Sequence, residues 1–550
     1  MARQIDNGGS ADLPECAAEY IRQVTRKMRY RRKARDEVQA ELAAHFADEL
    51  KDCAEAAERE QKAREMVESF GDVKLVAILC RRAKKRCRPR WKTAVVRTAQ
   101  AAAVLVVCFI VYVVWFLSGK PAVTTDYIAQ FNHLVRPPAA EALNAAPFYI
   151  RAAEMVNEPP DDVAELLKSK HHDLTAEQKQ RLTAWFAEKR EIFDLVAEGA
   201  LKPYYWRTYE GEQGMISVLL PYVSRYRHLM RALGHRAAFL ADEGRYDDAL
   251  AIVQTCYRYG RHLRDGSKSM VEQLGGMAAQ EVATTALLNI LSRHRLKPAQ
   301  LAQLQRGLEQ LFEDEDFRLN VAGEKLIIYD EIQRCFTASG PTGEHLYPRR
   351  LASLNTGSQE KPEDIVFDFA TTPRRWGTVA RILFAHPDKE ETRATFERMY
   401  GLVEDWMGKT PGQLRAEGID INDQIEEVVE GNFLLEVMVP SLGRIHELSY
   451  LTKVRFDAAL AIVALLQFQA ERGSYPENLA ELVAAGYLQR VPNDSWRSGP
   501  LTYRRTGADF LLYGWGENFT DDGGQPGKDE DDYWASDGDW VFWPVARAQS

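Results

Sequence analysis

Cysteine is scarce in this chain, seven among 550 residues. With no C-x-x-C pair and no Cys/His cluster at zinc spacing, the sequence offers no structural zinc site. Also missing are H-E-x-x-H, G-x-S-x-G, a P-loop and a G-x-G-x-x-G fingerprint, so no catalytic or cofactor-binding residue is assigned and a non-enzymatic role is expected. A basic surplus is absent as well, the formal net charge being -9. The basic residues between Arg22 and Arg35 alternate with acids and spell no recognition motif, so they read as a solvated helix face and no nucleic-acid partner is expected. What is present is a globular composition, 45% hydrophobic and 10% aromatic, on a chain long enough for several units.

The charge is unevenly divided. Residues 1–97 hold 23 of the 71 basic and 16 of the 80 acidic side chains, a net of +7, which leaves -16 for the rest. At the division stands TAQAAAVLVVCFIVYVVWFL, residues 98–117, in which Gln100 is the one strongly polar side chain. Twenty residues at about 1.5 Å each span the roughly 30 Å hydrocarbon core of a bilayer, so this run reads as a transmembrane helix. Before it lies RRAKKRCRPRWK, residues 81–92, with eight basic side chains; after it lies SGKPAVTTDY, with one. The positive-inside rule then puts the N-terminus in the cytoplasm and the large C-terminal part across the membrane. Of the cysteines, only Cys256 and Cys335 then lie outside, either as one disulfide or as two buried unpaired thiols.

Residues 1–90 read as a cytoplasmic helical module. Val38, Leu42 and Phe46 recur every fourth position with Leu50 after them, and Gly71 is placed to end the third helix. The series EVQAELAAHFADEL, AREMVESFGDVKLVA resembles the HAAS-like prefix that precedes membrane segments in some bacterial permeases and signalling proteins. The resemblance covers about residues 14 to 80 and implies protein contacts, with no chemistry of its own.

Residues 122–450 read as an extracytoplasmic helical domain. Its clearest stretch is a pair of amphipathic helices around DEGRYDD, where Gly244, Tyr246 and Ala249 stand as they do at the turn of a tetratricopeptide hairpin, although no second copy at that period exists. Residues 337–367 form a long turn-rich excursion. Candidate chemistry here is thin: His171 and His172 beside Asp173 point to different faces, His228 and His235 could share one face, and so could Glu324 and Glu331.

Residues 451–550 run from a long helix through a Gly-Ser-Tyr-Pro turn, a short helix and a VPNDSW turn into two strands, PLTYRR and DFLLYGW. Gly473, Tyr475, Pro476 and Leu479, then Tyr487, Leu488, Pro492, Asp494 and Trp496, then Tyr503 and LLYGWGEN, give this region a resemblance to the periplasmic domain of the major (G-type) pseudopilins of type II secretion. The resemblance implies a small α+β module and a calcium-binding acidic loop after its last tyrosine strand. That place is taken by TDDGGQPGKDEDDYWASDGDW, residues 520–540, with Asp521, Asp522, Asp529, Asp531 and Asp532 as candidate metal ligands and Gly523, Gly524 and Gly527 as turning points. A flexible acidic loop is the alternative, although Tyr533, Trp534, Trp540, Phe542 and Trp543 are poor company for disorder. The pattern departs from that family where it matters for polymerisation: the long helix lies deep in the chain and carries Lys453, Arg455, Asp457 and Gln467, so it cannot be processed as a pilin.

The expected fold class is therefore mainly α with one transmembrane helix and a small C-terminal α+β, pseudopilin-like domain. The expected function is a single-pass membrane protein presenting an extracytoplasmic interaction scaffold to envelope or secretion proteins. A transmembrane signalling protein that couples an external ligand to the prefix module is the alternative, and an envelope hydrolase a third.

Overall fold

In the computed structural model the described residues are 13–86, 90–117, 119–121, 123–168, 174–211, 214–311, 318–338, 344–347, 350, 386–439, 442–527 and 537–545. The chain is mainly helical with a small C-terminal sheet region. It divides into two compact units, Met1–Val114 and Trp115–Ser550.

The first unit packs α1 (Glu15–Lys27), α2 (Arg32–Glu49), α3 (Ala56–Phe70) and α4 (Val73–Arg86) around Tyr20, Ile21, Val24, Phe46 and Leu50. The Phe70 ring meets Phe46 and Tyr20 at 5.4 and 6.1 Å between centroids. The Phe-Gly-Asp piece has a physical reason. Gly71, at φ 74°, ends α3 in a conformation that favours glycine, and the Asp72 carboxylate accepts the N–H groups of Lys74 and Leu75 at 2.7 and 3.0 Å, capping α4. Next comes α5 (Arg90–Leu117), whose stretch Ala94–Phe116 is the one helix among the described residues long and apolar enough to cross a membrane. Its apolar side chains from Val95 to Val111 stand exposed.

The second unit begins with α6 (Tyr127–Val135), α7 (Ala146–Met155), α8 (Asp161–Lys168), α9 (Ala176–Glu188) and α10 (Arg190–Ala200). The long helices α11 (Met215–Asp242), α12 (Tyr246–Gly266) and α13 (Met270–Arg293) follow, then α14 (Pro298–Leu311) and α15 (Ala322–Cys335). Helices α12 and α13 meet backbone to backbone: a Cβ on Gly260 would lie 2.7 Å from the Gly276 carbonyl, and one on Gly276 2.5 Å from the Gly260 carbonyl. Gly244, between α11 and α12, has φ 76° and donates to the Ala241 carbonyl at 3.0 Å. Cys256 and Cys335 are both buried free thiols, so of the two readings of that pair the unpaired one holds. Of the excursion at residues 337–367, only 337, 338, 344–347 and 350 fall among the described residues.

Four shorter helices, α16 (Lys389–Trp406), α17 (Pro411–Ala416), α18 (Ile421–Val429) and α19 (Phe433–Met438), build a second core around Phe396, Trp406 and Leu435. Helix α20 (Leu442–Arg472) links the two cores: Leu442 and Ile445 sit in this second one, whereas Val454 to Phe468 sit in the first with α12 and α14. It runs unbroken through residues 450 and 451. Buried on nearly every face from Ala458 to Leu465, it explains a sequence with little amphipathic period. After α21 (Leu479–Ala484), β1 (Asn493–Asp494) and β2 (Gly499–Pro500) pair briefly. Then β3 (Thr502–Thr506), β4 (Asp509–Gly514) and β5 (Trp540–Trp543) form an antiparallel sheet in the order β3-β4-β5. Thr502 faces Tyr513, Leu512 faces Trp543, and one register shift falls between Leu512 and Tyr513. The strand β5 accounts for the aromatics at 540–543: all four residues are buried, and the Phe510 and Trp543 rings stack at 5.4 Å.

Candidate functional site

A polar part of the interior lies where the segment 204–209 meets Ser267 and Glu272. Two asparagine side chains hold that segment as a strand partner would. Asn144 donates to the Trp206 carbonyl at 2.9 Å and accepts the Trp206 N–H at 3.1 Å, and Asn132 does the same for Tyr209, both at 2.8 Å. So held, the extended backbone turns Tyr205, Arg207 and Tyr209 inward, where each is at most 5% exposed. Glu272, itself 2% exposed, receives Ser267 Oγ at 2.5 Å, Arg207 Nη1 at 3.4 Å and the Tyr209 hydroxyl. Burial pushes the Tyr209 pKa well up, and the Glu272 charge adds to that. The arrangement is a buried ion pair with its remaining lone pairs satisfied.

Beside it, the Tyr149 hydroxyl and His262 Nδ1 are hydrogen-bonded at 2.7 Å, and the Tyr149 ring packs on Tyr259 at 4.5 Å. Burial pushes the His262 pKa down to about 4, against an opposing pull from a hydrogen bond to the Lys202 backbone. The imidazole is neutral at pH 7. The hydroxyls of Tyr205 and Tyr259 are buried without a hydrogen-bond partner among the described residues. Both rings pack near Tyr149, at 6.1 and 4.5 Å between centroids, and each such hydroxyl marks a place where water or a ligand atom could complete the network.

Clefts open beside this core. One, of about 620 Å³, is lined by the ends of α6 and α10, the segment 201–205 and the last two turns of α12, with Arg136, Lys202, Arg258, Arg261, His262 and Lys268 in its wall. Another, of about 370 Å³, brings His228 and His235 together with Trp185 and Phe193. The shared face expected of these histidines thus becomes a shared cleft. His228 Nε2 lies 4.0 Å from Glu158 Oε1, and Trp185 Nε1 is buried without a partner among the described residues. By contrast, Glu324 and Glu331 serve different partners: Glu324 accepts the Met270 N–H at 2.7 Å, and Glu331 takes a two-pronged bond from Arg350 at 2.9 and 2.5 Å. They do not form a carboxylate pair. His171, His172 and Asp173 lie outside the described residues.

Of the five aspartates proposed as metal ligands, Asp521 and Asp522 are described, and Asp529, Asp531 and Asp532 lie outside the described residues. Asp521 Oδ1 accepts the Tyr513 hydroxyl at 2.9 Å and the Gly523 N–H at 3.0 Å, and Asp522 Oδ2 accepts Asn518 Nδ2 at 2.7 Å. Gly523 and Gly524 have φ of 76° and 84°, so the turning freedom read from the sequence is used. The loop is closed at its base, where the Asp539 N–H donates to the Gln525 carbonyl at 2.8 Å and Gly538 lies against Gly527. Asp539 stands outside the five candidate ligands. It is 1% exposed, its Oδ2 accepts the Gly524 N–H at 2.7 Å, and its Oδ1 is buried with no partner among the described residues. Burial raises its pKa, and the charges of Asp521 and Asp522 raise it further. Among the described residues no group of three or more His, Cys, Asp or Glu side chains is placed to hold a metal ion. The signal that could have found Asp539 is its position two residues past Asp537, inside the acidic run and just before a buried strand. Comparison with known proteins returns no matching family model and no significant similarity to a curated protein or a solved structure.

Proposed function

We propose that this chain is a single-pass protein of a bacterial inner membrane, with its N-terminal helical unit in the cytoplasm and its larger unit outside as an interaction scaffold for envelope or secretion proteins. The observation that carries the reading is α5, an exposed apolar helix with a basic run before it and a large packed unit after it. Support for a pseudopilin-like end comes from the order of elements after Leu442: a long helix, a turn at Gly473 with φ 82°, the short α21, a hairpin, an acidic loop and a closing strand. The aspartate of the matching P-x-D-x-W stretch, Asp494, accepts the N–H groups of Trp496 and Trp515 at 2.9 and 2.7 Å, tying the turn to the strand end. In this reading calcium joins the acidic loop, with Asp521 and Asp522 among its ligands and Asp529, Asp531 and Asp532 as further candidates. The orphaned Asp539 oxygen fits such an ion, which would supply charge neutralisation and loop order.

A second reading, coupling of an external ligand to the cytoplasmic unit, is favoured by one observation, the basic cleft beside α12. Both readings are tested by reporter fusions and pull-down. A reporter active only outside the cytoplasm should work after Ser550 and fail before Met1; the opposite pattern overturns the orientation. Pull-down from detergent-solubilised membranes that recovers envelope or secretion proteins supports the scaffold. Recovery only of cytoplasmic partners, bound through the N-terminal unit, favours the signalling reading.

A further inference from the structure

We propose that the 620 Å³ cleft beside α12 binds an organic phosphate, a phosphoryl anion carried on an apolar body. The proposal goes beyond the scaffold reading and does not depend on which side of the membrane the unit occupies. Among the described residues, five cationic side chains line the cleft, Arg136, Lys202, Arg258, Arg261 and Lys268, against one carboxylate, Asp265. This surplus stands out in a part of the chain whose net charge is -16.

The cations are unequally committed. Arg136 reaches Glu141 at 3.0 Å and Arg261 reaches Asp265 at 3.3 Å, both exposed pairs that contribute little. Lys268 Nζ donates to the Asp265 carbonyl at 3.0 Å, and burial pushes its pKa down. Arg258 has no acidic partner among the described residues. His262, held neutral by burial, adds no charge, so an incoming anion meets guanidinium and ammonium groups. A surplus of more than one positive charge, with an arginine fork among them, suits a phosphate better than a single carboxylate.

The rim supplies the second half of the recognition. Leu201 is 73% exposed and Leu134 39% exposed, and Pro203 stands with them. An apolar body beside the anion would cover these side chains. The volume lies within the roughly 300 to 1,000 Å³ usual for small-molecule sites. Two sources carry this chemistry, a free organophosphate and the headgroup region of an anionic lipid.

The test uses the full chain in nanodiscs of zwitterionic lipid, titrated calorimetrically with phenyl phosphate at low salt. Saturable one-site binding is expected, weaker for inorganic phosphate, which lacks the apolar body, and weakened at high salt. The double variant Arg258→Gln, Lys268→Gln should bind at least about tenfold more weakly, as the loss of a charged hydrogen bond requires. Arg245→Gln, outside the cleft, should bind as the wild type does. If nanodiscs containing phosphatidylglycerol abolish phenyl phosphate binding, the source is lipid; if binding persists, it is a free organophosphate. No heat, or equal affinity in a double variant with an unchanged melting temperature, overturns the proposal, and should that variant not fold, salt-independent binding by the wild type does so.

Discussion

Glu324 on α15 accepts the backbone N–H of Met270, the first residue of α13, at 2.7 Å, so a carboxyl from one helix closes the N-terminus of another. The helix end favours the charged form, yet desolvation dominates and pushes the pKa from 4.5 up to about 7. For an acid whose folded pKa is raised, the associated stability is complete below the unfolded value near 4.5 and is lost as pH rises through about 7. Glu324→Gln keeps the acceptor and removes the titration. The variant should match the wild type near pH 4 and exceed it at pH 8 by roughly 2 to 3 kcal/mol. Melting temperatures across that range decide it, and parallel curves would refute the assignment.

The pair Arg207 and Glu272 gives a second prediction. With side chains 4% and 1% exposed, removing one member leaves the other as a buried unpaired charge. Glu272→Ala should therefore cost about 3 to 5 kcal/mol. Arg207→Met with Glu272→Leu together should cost less than Glu272→Ala alone, because no isolated charge remains. Denaturant unfolding of the two variants is the measurement, and a double variant that loses as much stability as Glu272→Ala or more would count against a coupled pair.

These two relationships show what the sequence could and could not reveal. Local signals were legible: the apolar run became α5, Gly71 and Asp72 became a helix end and the next helix's cap, and PLTYRR and DFLLYGW became β3 and β4. The polar core was not, because Asn144, Arg207 and Glu272 come from three stretches separated by more than sixty residues each, and only tertiary packing brings them together. The basic cleft escaped for the same reason. Its cations are scattered from Arg136 to Lys268 among many solvated ones and form no run.

Gly244 carries the third prediction. At φ 76° it sits in the left-handed region, and a Cβ built there meets nothing within 4 Å. The cost of a side chain is therefore backbone strain, free of any clash. Gly244→Val should destabilise the folded chain by about 1 kcal/mol or more, and Gly244→Asn by less, since asparagine tolerates this region. Thermal unfolding of both variants checks it. Equal losses would point away from backbone strain as the cause.

The last prediction concerns calcium at the acidic loop. Asp539 presents one committed oxygen and one buried orphan, and the charges of Asp521 and Asp522 act on it. Burial first, and the charges of Asp521 and Asp522 after it, raise its pKa, and without a cation those carboxylates repel. A calcium ion, taking six to eight oxygens at about 2.3 to 2.6 Å, would relieve the same repulsion, so calcium and protons must compete. Titrating calcium into the full chain should give heat and a higher melting temperature at neutral pH, with affinity falling as the solution is acidified. Asp539→Asn retains an acceptor for the Gly524 N–H while removing the charge, and should weaken binding with little change in the calcium-free melting temperature. Asp531→Ala with Asp532→Ala tests the remaining ligands read from the sequence. Absence of heat and of any thermal shift at millimolar calcium would remove the metal from this loop and leave Tyr513 and Asn518 as the groups that hold Asp521 and Asp522.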